Sequence, residues 1–419
     1  MGVNIPVYIG DHAVTEFMRY CGEHGLQDFL LVADENTYAA LGGQVDASLR
    51  ARGFDVITVV LKGTEVQANE HYLMRVLLRY DCRERVFLAA GSGTITDITR
   101  FTSHRTRNAF ISLPTAPSVD GFTSIGAPLV VGGLKQTIVC QAPAAVFADL
   151  PTLTAAPRRL VAAGFGDLVG KYLSIADWKL AHLLWGERYV EHIAAYMLDA
   201  AVRCAAQVEQ IAGGSPQSTR LLMDGLIQAG FGMLEYGNTS PAGGAEHHIA
   251  HHWEMMMLND RRPAALHGAK VGIASLIAAA WYAQVRQMSR GEAASRLQAA
   301  SLPDPQDEIQ KIRFAFGTLA DELVATQKEI LALTDAGFQA LKQRILDHWE
   351  QVQEIAAGVP APEQLAGWLQ MVGGPLSASQ VGLSEAEVRL AADTSHYMRN
   401  RFTINKLRLL LGMPAILNG

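Results

Sequence analysis

Short apolar runs alternate with amphipathic stretches along the first third of the chain. Four of these runs cover residues 29–33, 56–61, 86–90 and 110–114. Each is bounded by turn residues and followed by a helical pattern, an arrangement typical of parallel strands joined by crossover helices. Between Pro128 and Gln141, two apolar runs flank the pair Gly132-Gly133, which predicts a β-hairpin. We therefore expect residues 1–150 to form a Rossmann-like α/β domain with a parallel sheet and a β-hairpin.

The pattern changes after Pro151. Ala, Leu, Glu, Gln and Met then recur at three- and four-residue spacing as far as Leu411, which predicts an all-α domain over residues 151–419. The apolar run at 271–283 is too short to span a membrane and is followed by polar residues, so we interpret it as a buried helix. Two segments richer in Gly, Pro, Ser and Gln, 288–308 and 357–383, are interpreted as connections between helices.

Composition narrows the class of protein. The chain has 419 residues, a formal net charge of −6 and no long basic run, so no nucleic-acid-binding surface is predicted and we expect a small-molecule partner. The 4 cysteines are far apart and form no CxxC pair, which disfavours a thiolate metal site or a disulfide framework and favours a reducing, cytoplasmic environment. A large helical domain with exposed apolar faces predicts a homo-oligomer, either a dimer or a higher assembly.

Two loops that follow predicted strands carry candidate nucleotide ligands. The first, residues 91–97 with the sequence Gly-Ser-Gly-Thr-Ile-Thr-Asp, would place backbone N–H groups at a helix N-terminus, a geometry that binds pyrophosphate. Glycines after strands are also ordinary turn residues, so this loop alone does not decide between the two interpretations. The second loop, residues 114–121, brings hydroxyl groups and a carboxylate to the same C-terminal edge of the sheet, where ligands of open α/β folds bind.

Asp34 closes the apolar run at 29–33. A carboxylate at this position can accept hydrogen bonds from the ribose hydroxyls of NAD and repels the additional phosphate of NADP. An aspartate after a strand is as often the N-cap of the next helix, so the capping interpretation stays open. The sequence favours NAD over NADP.

A histidine-rich stretch is the main candidate for a metal site. Residues 245–253 contain His247, His248, His251 and His252, and His267 opens the next apolar segment. His247 and His251 are one helical turn apart and share a face, whereas His248 and His252 lie about 100° round the helix axis. Because all four cannot bind one ion, some of them are bystanders. A solvated or stacking histidine face is the alternative interpretation of this cluster.

Asp167, in the run Gly164-Phe165-Gly166-Asp167, is a candidate anionic third ligand. It precedes a helical pattern, so its alternative role is that of an N-cap. The cluster is not HExxH, because Glu246 precedes the first histidine, and a metalloprotease of that kind is disfavoured. A set of one aspartate and two histidines leaves coordination positions open, which indicates a catalytic rather than a structural site.

Taken together, these motifs resemble those of the sn-glycerol-1-phosphate dehydrogenases, within the larger group of iron-containing alcohol dehydrogenases, glycerol dehydrogenases and dehydroquinate synthases. The resemblance rests on residues 91–97, 113–121, 164–167, 245–251, 266–268 and 397–403. The loop at 114–121 and the segment Arg-Asn-Arg-Phe-Thr at 399–403 favour the glycerol-1-phosphate branch. The match is loosest over residues 288–390, and Ala242-Gly243-Gly244 stands where the family has a more hydroxyl-bearing sequence.

The resemblance implies a dehydroquinate synthase-like fold and a set of site residues. It implies that Asp167, His247 and His267 bind one divalent metal, zinc or nickel. It implies that Asp120, His251 and Asp167 face the substrate as the catalytic residues. The residues implied to hold NAD, or NADP, are Asp34, Gly91, Ser92, Gly93, Thr94, Ile95, Asp97, Thr115, Ala116, Pro117, Ser118 and Ser124.

The reaction implied by the resemblance is the reversible reduction of dihydroxyacetone phosphate to sn-glycerol 1-phosphate, a step of phospholipid metabolism. The substrate is then a small phosphorylated triose, and no membrane insertion is expected. Two rival activities stay open. One is a glycerol or polyol dehydrogenase acting on an unphosphorylated substrate, and the other is a dehydroquinate synthase-like cyclase that uses the nucleotide only transiently.

Overall fold

The N-terminal part of the chain forms a six-stranded parallel sheet. The computed structural model describes residues 5–132 and 134–416. The strand order is β1-β8-β5-β4-β2-β3, and each neighbouring pair is parallel. The strands are β1 (Val7–Gly10), β2 (Asp28–Asp34), β3 (Asp55–Leu61), β4 (Val86–Ala90), β5 (Phe110–Leu113), β6 (Gly126–Val131), β7 (Leu134–Val139) and β8 (Ala145–Asp149).

All four apolar runs predicted as strands are strands, so the α/β prediction is confirmed. The strands β6 and β7 form the predicted antiparallel hairpin, and Gly132 at its turn has a positive φ of 60°, which glycine adopts without strain. Gly133 lies outside the described residues. The outer strand β1 and the inner strand β8 were not predicted individually.

Helices connect the strands and make up the regular structure after residue 150. They are α1 (Ala13–Glu23), α2 (Glu35–Thr37), α3 (Gly43–Ala51), α4 (Glu70–Leu77), α5 (Gly93–Arg105), α6 (Leu150–Thr154), α7 (Arg158–Val169), α8 (Lys171–Trp185), α9 (Glu191–Ala206), α10 (Val208–Gly213), α11 (Pro216–Tyr236), α12 (Ala245–Asn259), α13 (His267–Gln287), α14 (Arg290–Ala299), α15 (Pro305–Phe316), α16 (Ala320–Thr326), α17 (Lys328–Leu331), α18 (Asp335–Asp347), α19 (Trp349–Ala357), α20 (Pro362–Met371), α21 (Glu385–Thr394) and α22 (Ile404–Leu410).

Within the described residues after 150 no strand is found, which confirms the predicted all-helical second part. The apolar run at 271–283 lies inside α13, as predicted. The segments 288–308 and 357–383 are not only connections, because they contain α14 and α20. These segments are polar because their helices bury few side chains. In α14, for example, the buried residues are Ala293 and Leu297. No helix in the described parts of the chain has the length and apolarity to span a bilayer.

The sheet is buried on both faces. Successive residues of a strand point to opposite sides, so Leu31 of β2 packs in one cluster with Phe17 of α1, whereas Leu30 and Val32 pack in another with Ile98 of α5. A strand covered on both sides reads as a continuous apolar run rather than an alternating one. This is why the sequence pattern identified the interior strands β2, β4 and β5.

Compactness divides the chain into two units. One comprises residues 1–168, 195–240 and 371–373, and the other comprises 169–194, 241–370 and 374–419. Helix α11 belongs to the first unit because its Met223 and Ile227 pack with Phe122 and Val146. This grouping differs from the predicted functional division after residue 150, which stays a prediction.

Candidate nucleotide loops and metal centre

The loop after β4 leads directly into α5. Gly93 is the first residue of this 13-residue helix, and the N-cap Ser92 makes no side-chain capping bond. A Cβ atom at Gly91 would lie 2.5 Å from Ile95 Cβ, and one at Gly93 would lie 3.1 Å from a Val119 methyl group. A larger residue at position 91 would therefore clash, and one at position 93 would need Val119 to move by a few tenths of an ångström. The first N–H groups of α5 have no partner within the helix, so this end of α5 suits an anionic ligand.

The loop after β5 is bound to the loop after β4. Thr115 N–H donates to Gly91 O at 3.3 Å, Gly91 N–H donates to Leu113 O at 3.1 Å, and the hydroxyl groups of Ser92 and Ser118 are hydrogen-bonded. The sequence-predicted nucleotide residues of the two loops are thus neighbours at one edge of the sheet. Ile95 is buried in a core cluster with Leu30 and Ile98, so its side chain is not available to a ligand.

Two helical glycines allow close approach of the second loop. A Cβ atom at Gly164 of α7 would lie 1.9 Å from Pro117 O, and one at Gly230 of α11 would lie 2.2 Å from Thr123 Oγ1. Glycine in a helix is normally unfavourable. Here it lets the backbone of the 114–124 segment lie directly against the two helices.

Replacing Gly164 with alanine is expected to destabilise the protein by about 1–3 kcal/mol, the range for overpacking a filled interior, and to raise the KM for NADH. The added methyl group would collide with Pro117 O and displace the 114–121 loop. Thermal unfolding and initial rates measure the two effects. Gly22→Ala is the matched control, because that position in α1 faces open space. A destabilised Gly164→Ala protein with an unchanged KM for NADH would contradict the role of this loop in nucleotide binding.

Arg100 of α5 binds the backbone of the segment after β5, at Gly121 and Gly126. The sequence analysis did not identify Arg100. Its buried guanidinium donates to Gly121 O at 2.6 Å and Gly126 O at 2.7 Å and forms an ion pair of 3.1 Å with Asp97. Burial raises the pKa of Asp97 to about 7, and the charge of Arg100 opposes that shift. The sequence signal for this ion pair was the spacing of three residues between Asp97 and Arg100 on a predicted helix. Whether Asp97 also contacts a nucleotide stays a prediction.

Asp34 and Ser124 have local partners. Asp34 is the N-cap of α2: its carboxylate accepts from Thr37 N–H at 2.7 Å, and Thr37 Oγ1 is 2.9 Å from Asp34 N. The capping interpretation of Asp34 is therefore correct, and contact with ribose stays a prediction. Ser124 Oγ donates to Gly121 O at 3.1 Å.

Asp167 lies inside α7, so the interpretation of Asp167 as an N-cap is wrong. The glycines at 164 and 166 do not end the helix, and the first of them serves the contact with Pro117. The Asp167 side chain is buried, and its Oδ2 accepts a hydrogen bond of 3.0 Å from Asp120 N–H. This bond joins two of the three residues predicted to face the substrate.

Three histidine rings from α12 and α13 lie close together. The ring centroids of His247 and His267 are 5.4 Å apart, those of His251 and His267 are 5.1 Å apart, and those of His247 and His251 are 6.0 Å apart. His247 and His251 share one face of α12, as the helical spacing predicts. The first residue of α13 is His267, so this ring stands at the helix start.

Buried carboxylates hold the Nδ1 atom of each ring. His247 Nδ1 is 2.8 Å from Glu246 Oε1, His267 Nδ1 is 2.9 Å from Glu254 Oε1, and His251 Nδ1 is 2.9 Å from Glu254 Oε2. A carboxylate accepts hydrogen bonds, so the neutral rings carry their proton on Nδ1. Each Nε2 then keeps its lone pair, which is the arrangement found in metal-ligating histidines.

Glu254 was missed by the sequence analysis. One of its oxygens also lies 3.3 Å from Lys270 Nζ. Candidate ligand atoms of His251, Glu254 and His267 lie within 4.8 Å of one another and so form a possible ion site of their own. Because both Glu254 oxygens bond to ring nitrogens, we interpret this group as a hydrogen-bonded support. The spacing of three residues between His251 and Glu254 on a helix was the available signal.

His248 and His252 lie on another face of α12, as the helical geometry predicts. His252 stacks on Phe316 with centroids 4.3 Å apart, and burial lowers its pKa to about 4. His248 is also buried, and burial lowers its pKa well below the usual range. Both are therefore neutral at physiological pH.

Asp177 fixes the start of α12. Its Oδ2 accepts from Ala245 N–H at 2.6 Å, and its Oδ1 accepts from Tyr282 Oη–H at 2.7 Å and Ile404 N–H at 2.6 Å. A Cβ atom at Gly244 would lie 2.6 Å from Asp177 Oδ2 and 2.7 Å from Glu246 Oε2. Position 244 therefore has no room for the hydroxyl-bearing side chain expected from the family pattern.

Comparison with known proteins agrees with this architecture. The family model described as iron-containing alcohol dehydrogenase matches residues 8–157. The chain is 34% identical over 402 residues to a glycerol-1-phosphate dehydrogenase [NAD(P)+] of Geobacillus thermodenitrificans, covering 95% of this chain and 90% of that protein. It is 34% identical to the protein of the same name from Bacillus subtilis, covering 98% and 92%.

Among solved structures, glycerol dehydrogenase from Schizosaccharomyces pombe superposes with a TM-score of 0.61 at 16% identity, covering 98% of this chain and 89% of that one. At this identity the likeness shows the fold alone, and it confirms the predicted dehydroquinate synthase-like architecture. The full-length sequence matches above show more than the fold. The chain belongs to the glycerol-1-phosphate dehydrogenase family, within the iron-containing alcohol dehydrogenases.

Proposed function

We propose that this protein is a metal-dependent NAD(P) oxidoreductase that reversibly reduces dihydroxyacetone phosphate to sn-glycerol 1-phosphate. The observation that carries the proposal is the pair His247 and His267, whose Nδ1 atoms are held by Glu246 and Glu254. Metal-ligating histidines almost always donate their second ring N–H in this way. The activity in the name of the relatives fits a site of this kind.

The proposed ligands of the divalent metal are Asp167, His247 and His267. The proposal is supported by the rings of His247 and His267, whose centroids are 5.4 Å apart, and by the buried carboxylate of Asp167. One oxygen and two nitrogen donors leave positions open for a substrate oxygen. Such a set accepts several divalent ions, so we propose zinc or nickel and leave the choice between them to reconstitution.

The bound metal would polarise the ketone, and the nicotinamide would exchange the hydride. The residues of the chain bind, orient and manage the proton. We propose that Asp120 faces the substrate with its carboxylate, because its backbone N–H is already committed to Asp167. His251 positions the substrate, or its Nε2 first takes up a proton from solvent and then passes it to the substrate oxygen, while Glu254 holds Nδ1–H.

The nucleotide is proposed to bind along the loops after β4 and β5, with NAD favoured over NADP. The small residues Gly91 and Gly93 and the start of α5 support this placement for the pyrophosphate. The remaining contacts, from Asp34, Asp97, Ser124 and the segment Thr115 to Ser118, are proposals of the same kind. The homo-oligomeric state and the cytoplasmic location remain predictions.

The decisive assay is NADH oxidation at 340 nm by metal-stripped protein reconstituted separately with zinc and nickel. Dihydroxyacetone phosphate and dihydroxyacetone are offered side by side. We expect metal-dependent turnover of the phosphorylated ketone only, and a stereospecific assay then identifies the product. Preference for dihydroxyacetone would indicate a polyol dehydrogenase instead. No net NADH oxidation with either ketone would contradict the proposal and leave the cyclase activity to be assayed.

A further inference from the structure

The segment between Met398 and Lys406 lies along the first turn of α12. Arg401 Nη1 donates to Gly243 O at 2.7 Å, and Ile404 N–H shares the Asp177 carboxylate with Ala245 N–H. These bonds fix the segment beside the helix that carries the histidine cluster. All of the groups involved are in the same compact unit.

Lys406 of this segment is a buried cation without a counter-ion at close range. Its side chain is 5% exposed, and its Nζ lies 3.3 Å from Gln327 Oε1 and 3.5 Å from Arg399 O. Among the described residues, no carboxylate oxygen lies within 4.0 Å of this nitrogen. Leaving a buried ammonium unpaired is expensive, and burial lowers the pKa of Lys406 to about 7. The surroundings of the Lys406 ammonium group therefore favour binding of an anionic ligand.

Further polar groups near Lys406 are unused. Thr403 Oγ1 and His248 Nδ1 are buried and have no hydrogen-bond partner in the described chain. Within the part of the chain that the structure describes, the exposed side chain of Arg399 donates only to the neighbouring Met398 O, at 3.1 Å. The helix that carries His248 packs against residues 395–397, just before Arg399.

Three acidic groups beside the segment are already engaged. Glu187 pairs with Arg401, and Glu329, the carboxylate that raises the pKa of Lys406, accepts from Asn400 Nδ2 at 2.9 Å. Asp177 accepts three hydrogen bonds from the starts of α12 and α22 and from Tyr282. A fourth acidic group, Glu322, acts on Arg399, but among the described residues it forms no ion pair with Arg399 within 4.0 Å. The positive charge of Arg399 and Lys406 is thus not neutralised by a direct carboxylate contact.

We propose that Arg399, Thr403, Lys406 and His248 form a binding site for a phosphate group. A phosphate has several acceptor oxygens and takes charge-assisted hydrogen bonds from an ammonium and a guanidinium at once. The hydroxyl of Thr403 and Nδ1–H of His248 supply two more donors. The assignment of this phosphate to the substrate rests on the proposed function. A free phosphate ion has the same chemistry and is the other source.

The test compares wild-type holoenzyme with Lys406→Met, using inorganic phosphate and dihydroxyacetone phosphate as probes in titration calorimetry. We expect phosphate affinity to fall by about 10- to 100-fold, the range of one charge-assisted hydrogen bond. The phosphate-free variant should unfold at the same or a higher temperature, because methionine removes an unpaired buried charge. Lys328→Met, at an exposed lysine of the same unit, is the matched control. Unchanged phosphate affinity in Lys406→Met would overturn the proposal.

Arg399→Gln provides a second variant in case Lys406→Met does not fold, because the Arg399 side chain is exposed. Both variants should raise the KM for dihydroxyacetone phosphate and leave the KM for NADH unchanged if the phosphate is that of the substrate. Weaker inorganic phosphate binding with an unchanged ketone KM would support the site and assign it to free phosphate. A third result would separate the two proposals. If the wild type turned over neither ketone but both variants bound inorganic phosphate more weakly than the wild type, the proposed function would fail and the phosphate site would stand.

Discussion

Replacing Asp167 with asparagine is expected to release the divalent metal and leave the fold intact. The two side chains have nearly the same size, and the amide oxygen can still accept the hydrogen bond from Asp120 N–H. The substitution removes the negative charge and exchanges a carboxylate for a much weaker ligand. We expect metal affinity to fall by more than the ~10- to 100-fold that follows loss of an outer-shell partner. Turnover should fall with it.

Metal content per chain after dialysis and NADH oxidation by the same samples measure this effect. Asp224→Asn is the matched control, since Asp224 is a partly buried aspartate on α11 whose ion-pair partner is Arg220. It should keep both metal and turnover. If Asp167→Asn held metal as tightly as the wild type, Asp167 would act only in orienting the 114–121 loop, and the proposed ligand set would be wrong.

The pattern of apolar residues identified four of the six strands of the parallel sheet, β2, β3, β4 and β5, but not β1 or β8. The four predicted strands are covered on both faces, so they read as unbroken apolar runs. Strand β1 has only four residues and is partly exposed at its start. A short edge strand of this kind leaves no such signal. Strand β8 is fully buried, but its pairing with β1 and β5 depends on tertiary contacts that the sequence pattern does not encode.

Asp167 shows why a local rule failed. Two glycines before an aspartate resemble a turn followed by an N-cap, yet α7 continues through them. Position 164 must be glycine because Pro117 O, 47 residues earlier in the chain, would collide with any Cβ atom there. A tertiary contact therefore explains the glycine that local propensity would assign to a helix end.

The supporting carboxylates were harder to predict than the histidines. Spacing alone placed His247 and His251 on one face of a helix. Glu254, in contrast, joins His251 to His267 on the next helix, 13 positions further along the chain. Asp177 acts on Ala245 from 68 positions away. The three-residue spacing of His251 and Glu254 was a local signal for that one pair. Only the folded packing of α8, α12 and α13 brings Glu254 to His267 and Asp177 to Ala245.

Replacing His251 with alanine is expected to leave the metal bound and to reduce turnover by about 10²- to 10⁴-fold, the usual contribution of a positioned acid or base. The reason is that His251 stacks against His267 at 5.1 Å but is not one of the proposed ligands. Glu254 still holds His267 in the variant. Metal content and NADH oxidation are measured together, and added imidazole should restore part of the lost rate if His251 delivers a proton.

His252→Ala on the same helix is the control for this experiment, because His252 stacks on Phe316 and lies on another face of α12. It should lose thermal stability and keep most of its turnover per bound metal. Loss of metal from His251→Ala would show that His251 is a metal ligand and not a residue that positions substrate or delivers a proton. The ion would then belong to the group formed by His251, Glu254 and His267, and the hydrogen bonds that Glu254 makes to both rings would give way to metal coordination when the ion binds.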